Sequence, residues 1–359
     1  MDFLVENALK ASEENKQDFE GLVGQANIRV IGVGGAGNNM VGWLYNKGVK
    51  GAEIIACNTD QQHLNMINAD RKFLLGTSVT RGLGCGGFPE KGAESAKESL
   101  QELKQCLKGS DMVFVCAGMG GGTGTGGAPV VAQVARDTGS IVIGTVTMPF
   151  KIEKARVDKA EFGLEQLRDV SDTVIVIDNN KLVHIAGGLP LQQAFSVANE
   201  LISTMIKGIV ETIAVPSLVN LDYADVKAIM KNGGVAAIGV GASDTNNRVD
   251  EAVKGALENP LLDINYKGAT GALIHIIGGP DMTLDDINKA GELVTESLDA
   301  DANVIWGARV DEDMQGKLTV MTIVTGVKSS CILGKQKALE ASPEVQQISE
   351  ELGIEILEE

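Results

Sequence analysis

The chain has 359 residues, of which 44% are apolar and 22% charged, the profile of a soluble globular protein with room for about two domains. Its formal charge of -17 argues against a nucleic-acid binder, which needs clustered Lys and Arg, and against direct adhesion to anionic lipid. Five cysteines without metal-ligand spacing, only three histidines and no run of about 18 apolar residues disfavour a disulfide scaffold, a histidine-rich metal site and a membrane span; a reducing cytoplasm is the expected home.

In chain order, residues 1–27 read as an acidic arm with scattered apolar positions, a helix lying loosely on the body or fraying. Beyond it, short apolar runs at 28–33, 53–57, 72–75, 111–117, 140–148 and 173–177 alternate with helical stretches such as 38–46 and 93–107. That alternation predicts an α/β domain over 28–188, a mostly parallel sheet with helices on both faces and ligands at the carboxyl ends of its strands. Residues 189–216 predict one long central helix, with Leu191, Phe195, Ile202, Ile206 and Ile209 at helical spacing and Pro216 as its end. Strands near 236–241, 272–277, 303–310 and 318–325, with helices near 249–258 and 284–298, predict a smaller α+β domain over 217–330. A polar, acidic tail over 331–359 closes the chain.

Three glycine-rich turns follow predicted strands. The first, Gly32-Val33-Gly34-Gly35-Ala36-Gly37, satisfies G-x-G-x-x-G, and Asp60 stands about 23 residues further on, so a dinucleotide site is one reading. The second is Gly82-Leu83-Gly84-Cys85-Gly86-Gly87. The third and richest runs from Gly118 through Gly120, Gly121, Gly122, Thr123, Gly124, Thr125 and Gly126 to Gly127, ahead of a helix expected to start near Pro129. Glycines at strand-to-helix turns let N–H groups point inward at a phosphate, beside the positive end of a helix. One dinucleotide needs one such cradle, whereas three turns on one rim suit a triphosphate.

No G-x-x-x-x-G-K-[ST] occurs, so the cradle must work through N–H groups, the Thr123 and Thr125 hydroxyls and a cation such as Mg²⁺ held mainly by phosphate and water. Hydrolysis also needs a group to orient or deprotonate water. Asp222 and Asp225, in Asn220-Leu221-Asp222-Tyr223-Ala224-Asp225, are candidates, yet acids three apart at a helix start equally serve as caps. The pair is also far in sequence from every glycine turn.

Residues 32–39, Asn58-Thr59-Asp60, 118–126 and 220–225 occur in the order and spacing of FtsZ, the tubulin-like GTPase of prokaryotic cell division, which the chain resembles from about 28 to 327. The resemblance implies a Rossmann-like GTPase domain, a central helix and a smaller second domain. It implies that Gly34, Gly35, Ala36, Asn38 and Asn39 form the first nucleotide loop, joined by Asp60 and Gly84. Gly118 to Gly126 would hold the phosphates, with Glu153 and Arg156 near ribose and phosphates. Asn179 and Asn199 match guanine-reading positions, and Phe195 a stacking position. Protomers of the family stack head to tail, so Asp222, Asp225 and Asn220 are expected to act on the nucleotide of the next subunit. A self-assembling cytoplasmic protein at the mid-cell division ring is thus expected.

Two features depart from the family pattern. Glu153-Lys154-Ala155-Arg156 replaces Glu-Gly-x-x-Arg, and the tail lacks a proline-containing ending; Gly353-Ile354-Glu355-Ile356-Leu357 is the candidate segment for docking a membrane tether, or an ordinary chain end. Both point toward an archaeal-type member. The alternatives are a related filament serving cell shape or plasmid segregation and, in another class, an NAD-dependent Rossmann oxidoreductase.

Overall fold

The computed structural model describes residues 26–214, 223–232, 236–258, 264–265, 269, 271–299, 302–326, 328–329 and 332–334. The expectations for Pro216, Asn220, Asp222, the segment 353–357 and all but the last two residues of the arm lie outside them. The first unit runs β1 (Ile28–Val33), α1 (Gly34–Lys47), β2 (Ala52–Asn58), α2 (Gln61–Met66), β3 (Arg71–Leu74), α3 (Thr77–Thr80), α4 (Pro89–Glu98) and α5 (Leu100–Leu107). It continues with β4 (Met112–Gly118), α6 (Thr123–Asp137), β5 (Ile141–Met148), α7 (Ala155–Val170), β6 (Thr173–Asp178) and α8 (Asn179–Ala186). Then come the central helix α9 (Leu191–Ala214), α10 (Tyr223–Asn232), β7 (Ala236–Ser243), α11 (Arg248–Leu257), β8 (Ile264–Asn265) and β9 (Gly271–Gly278). The last elements are α12 (Leu284–Thr295), β10 (Asn303–Val310), β11 (Leu318–Thr325), β12 (Lys328–Ser329) and β13 (Ile332–Gly334).

Six parallel strands form the main sheet in the order β3-β2-β1-β4-β5-β6, and β13 adds antiparallel to β6. Burial of both faces explains the nearly unbroken apolar runs. Along β1, Ile28 and Val30 pack toward α1 and α9, while Ile31 and Val33 pack toward α6. The central helix carries Ile202, Ile206, Ile209 and Val210 into the same core as Leu273, Met321 and Ile323 of the second sheet. That sheet has the order β10-β9-β11-β7, and its other face packs on α11 and α12 through Val249, Ala252, Ile276 and Val294. A broad apolar stripe is what a helix shared by two layers requires.

Three expectations are corrected. The helical stretch 93–107 is two helices meeting at Ser99, which has left the helical backbone and whose hydroxyl accepts the Gly76 N–H. The helix expected from Pro129 begins at Thr123, so Thr123, Gly124, Thr125 and Gly126 form its first turns rather than a loop. Intimate packing overrides the low helix propensity of glycine here: a Cβ on Gly126 would run into the Pro89 carbonyl, and one on Gly92 into the Gly122 carbonyl. The tail does not separate cleanly at 331, because Ile332–Gly334 pairs with Thr173–Ile175 of the first sheet.

The start of α10 is pinned to the first unit. The Tyr223 hydroxyl donates to the Asp111 carbonyl (2.7 Å), at the amino end of β4. Burial first, then the Asp111 and Asp172 carboxylates, push the Tyr223 hydroxyl up to about 12, so it stays a donor.

Because α4 and α6 meet backbone to backbone, Gly126→Ala should lower the free energy of unfolding by about 3 kcal/mol in urea titrations. A midpoint equal to that of the parent chain would refute this packing.

Candidate functional site

The amino ends of α1 and α6 converge at the carboxyl ends of β1 and β4. Gly34 has φ 75°, and a Cβ there would lie 2.8 Å from the Gly124 nitrogen; one on Gly118 would lie 2.5 Å from Cβ of Ala36. Neither helix has a side-chain cap at its N-cap residue, Val33 or Gly122. Two helix starts, each equivalent to about half a positive charge, thus leave N–H groups without side-chain caps beside one another.

The glycines divide into two kinds. At Gly118, Gly122, Gly124 and Gly126 the missing Cβ makes room for the protein's own atoms. At Gly35 and Gly121 a Cβ would meet nothing within 4 Å, and φ is not positive. The fold makes no demand for glycine at those two positions, so the room they leave suits a ligand approaching the backbone. Thr125 differs from expectation. It is fully buried and its hydroxyl accepts the Gly120 N–H (2.9 Å), so it holds the loop's shape and presents no hydroxyl to a phosphate.

The second glycine turn does face the same rim. Gly84 donates to the Thr59 carbonyl (3.0 Å), and a Cβ on Gly122 would lie 2.6 Å from Cβ of Cys85. Thr59 and Thr123 share a hydroxyl–hydroxyl bond (2.7 Å), with the Cys85 sulfur 3.3 Å from Thr59 Oγ1. Asp60 spends Oδ1 on capping α2, accepting from Gln62 and His63 N–H. Burial pushes the Cys116 thiol up to about 12 and the Cys57 thiol higher still, so neither is a nucleophile.

Beside the helix starts lies a cleft of about 530 Å³, lined by Gly35, Ala36, Asn39, Asn179, Phe195 and Asn199 among others. Six residues expected from sequence are therefore gathered in one place. Phe195 is 40% exposed and packs at a tilt on Phe150, with ring centroids 6.1 Å apart, so plain core packing does not explain it. Asn38, by contrast, is fully buried beneath the loop, and its amide meets no partner among the described residues. Sequence reasoning missed His63, Thr147, Gln192 and Ser196, which also line the cleft. His63 and Thr147 sit at or just past strand carboxyl ends, the one signal that could have flagged them.

Arg156 packs its backbone against the loop, 2.8 Å from a notional Cβ on Gly120, and its guanidinium donates to Glu153 (2.7 Å). Glu153 also accepts the Phe150 N–H. Lys154 adopts φ 40° and ψ -97°, a conformation that favours glycine, although the residue here is a lysine.

Asp225 is not brought to this site. It lies in the first turn of α10, two residues past Tyr223, whose hydroxyl holds the opposite end of β4 from the glycine loop. Seven strand residues separate those ends by roughly 23 Å. Among the described residues no group of three or more His, Cys, Asp or Glu could hold a metal ion, and no helix is long and apolar enough to cross a membrane.

Residues 27–187 match the Tubulin/FtsZ family GTPase domain, and residues 234–328 the C-terminal domain of the FtsZ family. The chain is 56% identical to cell division protein FtsZ 2 of Methanocaldococcus jannaschii, over 92% of this chain and 88% of that one. It is 48% identical to cell division protein FtsZ 2 of Haloferax volcanii, over 96% of this chain and 86% of the relative. The solved structure of an empty FtsZ dimer from M. jannaschii superposes with a TM-score of 0.78 at 45% identity, covering 89% of this chain and 92% of that one. These matches displace the oxidoreductase reading: the chain belongs to the FtsZ family of tubulin-like GTPases.

Proposed function

We propose that the chain binds GTP with its base and ribose in the 530 Å³ cleft and its phosphates on the paired starts of α1 and α6, and that a second copy completes the hydrolytic site. The observation that carries this reading is the separation of parts. The phosphate cradle lies at the carboxyl end of β4 and Asp225 near the amino end, a distance no side chain spans. A copy stacked head to tail would bring its own Asp225, with Asp222 and Asn220, over the neighbour's phosphates to orient the attacking water. Repeating one heterologous contact without closure gives a filament. Dimers of an FtsZ relative accord with such self-association.

Mg²⁺ would neutralise phosphate charge, bound mainly through phosphate and water, since the cradle offers N–H donors and hydroxyls rather than a carboxylate cage. The relatives' name as cell division proteins supports a role in division; a place in the cytoplasm at a mid-cell ring is part of the same proposal. Residues 353–357 are the proposed contact with a membrane tether.

Asp225→Ala should leave GTP affinity intact and cut turnover by at least about tenfold, a loss of roughly 1.4 kcal/mol or more in transition-state stabilisation. Wild-type turnover by the purified variant would sink the trans-acting acid. GTPase activity per molecule should also rise with protein concentration and then level off; a constant value from dilute to concentrated samples would show a site complete within one copy. Gly121→Ala should keep the parent's unfolding midpoint, because its Cβ meets open space, yet weaken GTP binding at least about tenfold by equilibrium dialysis. Unchanged affinity would remove the phosphates from that loop.

A further inference from the structure

His63 lines the cleft from α2, three residues past Asp60, whose carboxylate caps that helix. Its proton can be placed from its neighbours. The Asn58 side-chain oxygen accepts two backbone N–H groups, from Thr59 (2.9 Å) and Asp60 (3.3 Å). That fixes the orientation of the amide, because the NH₂ group in the oxygen's place would face two donors. The Asn58 Nδ2 is therefore the atom facing His63 Nδ1, at 3.3 Å, and it can only donate. Nδ1 of the neutral ring must accept, so the ring proton resides on Nε2. Among the described residues no acceptor meets that Nε2–H.

The lining of the cleft supplies the ligand chemistry. Its walls carry the amides of Asn39, Asn179, Gln192 and Asn199 and the hydroxyls of Thr147 and Ser196, with no charged side chain. Neutral donors and acceptors around an exposed Phe195 ring suit an uncharged heterocycle and sugar, while the phosphates belong to the helix starts.

We propose that His63 is a nucleotide-binding residue whose Nε2–H donates to an acceptor atom of the guanine base or the ribose. Asn58 is its positioning residue: the turn Asn58-Thr59-Asp60 holds the ring as a donor toward the cleft. This inference rests on the nucleotide reading of the cleft, and adds a contact on the α2 side.

The test measures equilibrium binding of GDP, 2′-deoxy-GDP, 7-deaza-GDP and 3-deaza-GDP to the full chain, to His63→Phe and to His63→Gln. His63→Phe keeps a ring and loses the donor, and should weaken GDP about 5- to 10-fold. His63→Gln, which can still donate, should recover most of that loss. Where the acceptor is the 2′-hydroxyl, N7 or N3, the penalty should vanish for the one analogue that lacks it; an equal penalty for all four nucleotides that Gln recovers assigns O6 or the 3′-hydroxyl. Should Phe alter the circular dichroism spectrum, His63→Leu serves the same comparison. Unchanged GDP affinity in the donor-free variant would overturn the proposal. So would an equal loss for every nucleotide with no recovery by Gln, the mark of packing alone. A parent chain that binds no guanine nucleotide would instead remove the underlying reading of the cleft.

Discussion

A phosphate site made from backbone is strengthened when two helix starts come close enough to share one anion, and side chains obstruct that approach. In this protein α1 and α6 meet through Gly34, Gly118 and Gly124, and α6 meets α4 through Gly92 and Gly126. Each glycine removes an atom that would otherwise hold two backbones apart. The parallel order of β1 and β4 supplies the rest: adjacent strands running in the same direction deliver both helix starts to one edge. The cleft opens beside that edge, lined by Gly35 and Ala36 of α1 and by Phe195 and Asn199 of the central helix.

Much of the fold was legible because the sheet is buried on both faces. Runs such as Val30-Ile31 and Val113-Phe114-Val115 have no polar interruption, and their bounds as strands agree with sequence to within a residue or two. Helix starts were less legible. Thr123 to Gly127 has the composition of a loop, and only contact with α4 and the surrounding strands makes it helical. Nothing local in 93–107 announces the break at Ser99, which answers a hydrogen bond from Gly76, 23 residues away in sequence. The pairing of Ile332–Gly334 with β6 is likewise a long-range event of three residues, too short for any periodic signal.

The site was legible in its glycines and amides, not in the division of labour among them. Sequence treats Thr123 and Thr125 alike, yet one hydroxyl bonds across to Thr59 and the other is sealed inside the loop. It treats Asn38 and Asn39 alike, yet one is buried and the other opens on the cleft. At Lys154 sequence shows only that the glycine of the family pattern is missing, whereas the structure shows a backbone with φ 40° there and the Arg156 carbonyl packed against Gly120. What matters there is a dihedral angle, which a motif encodes only indirectly.

The Tyr223 hydroxyl seated on the amino end of β4 gives each copy two unlike ends. In the proposed head-to-tail stacking of n copies, n−1 junctions would join a phosphate cradle to a neighbour's Asp225. One terminal copy would hold nucleotide that no acid reaches, and the other would expose an acid with no nucleotide beneath it. Under the proposed stacking the two tips would be chemically different: one would retain an intact triphosphate open to solvent, while every interior site could turn over. On that proposal a dimer would be the smallest species with a complete site, and it would have one, not two.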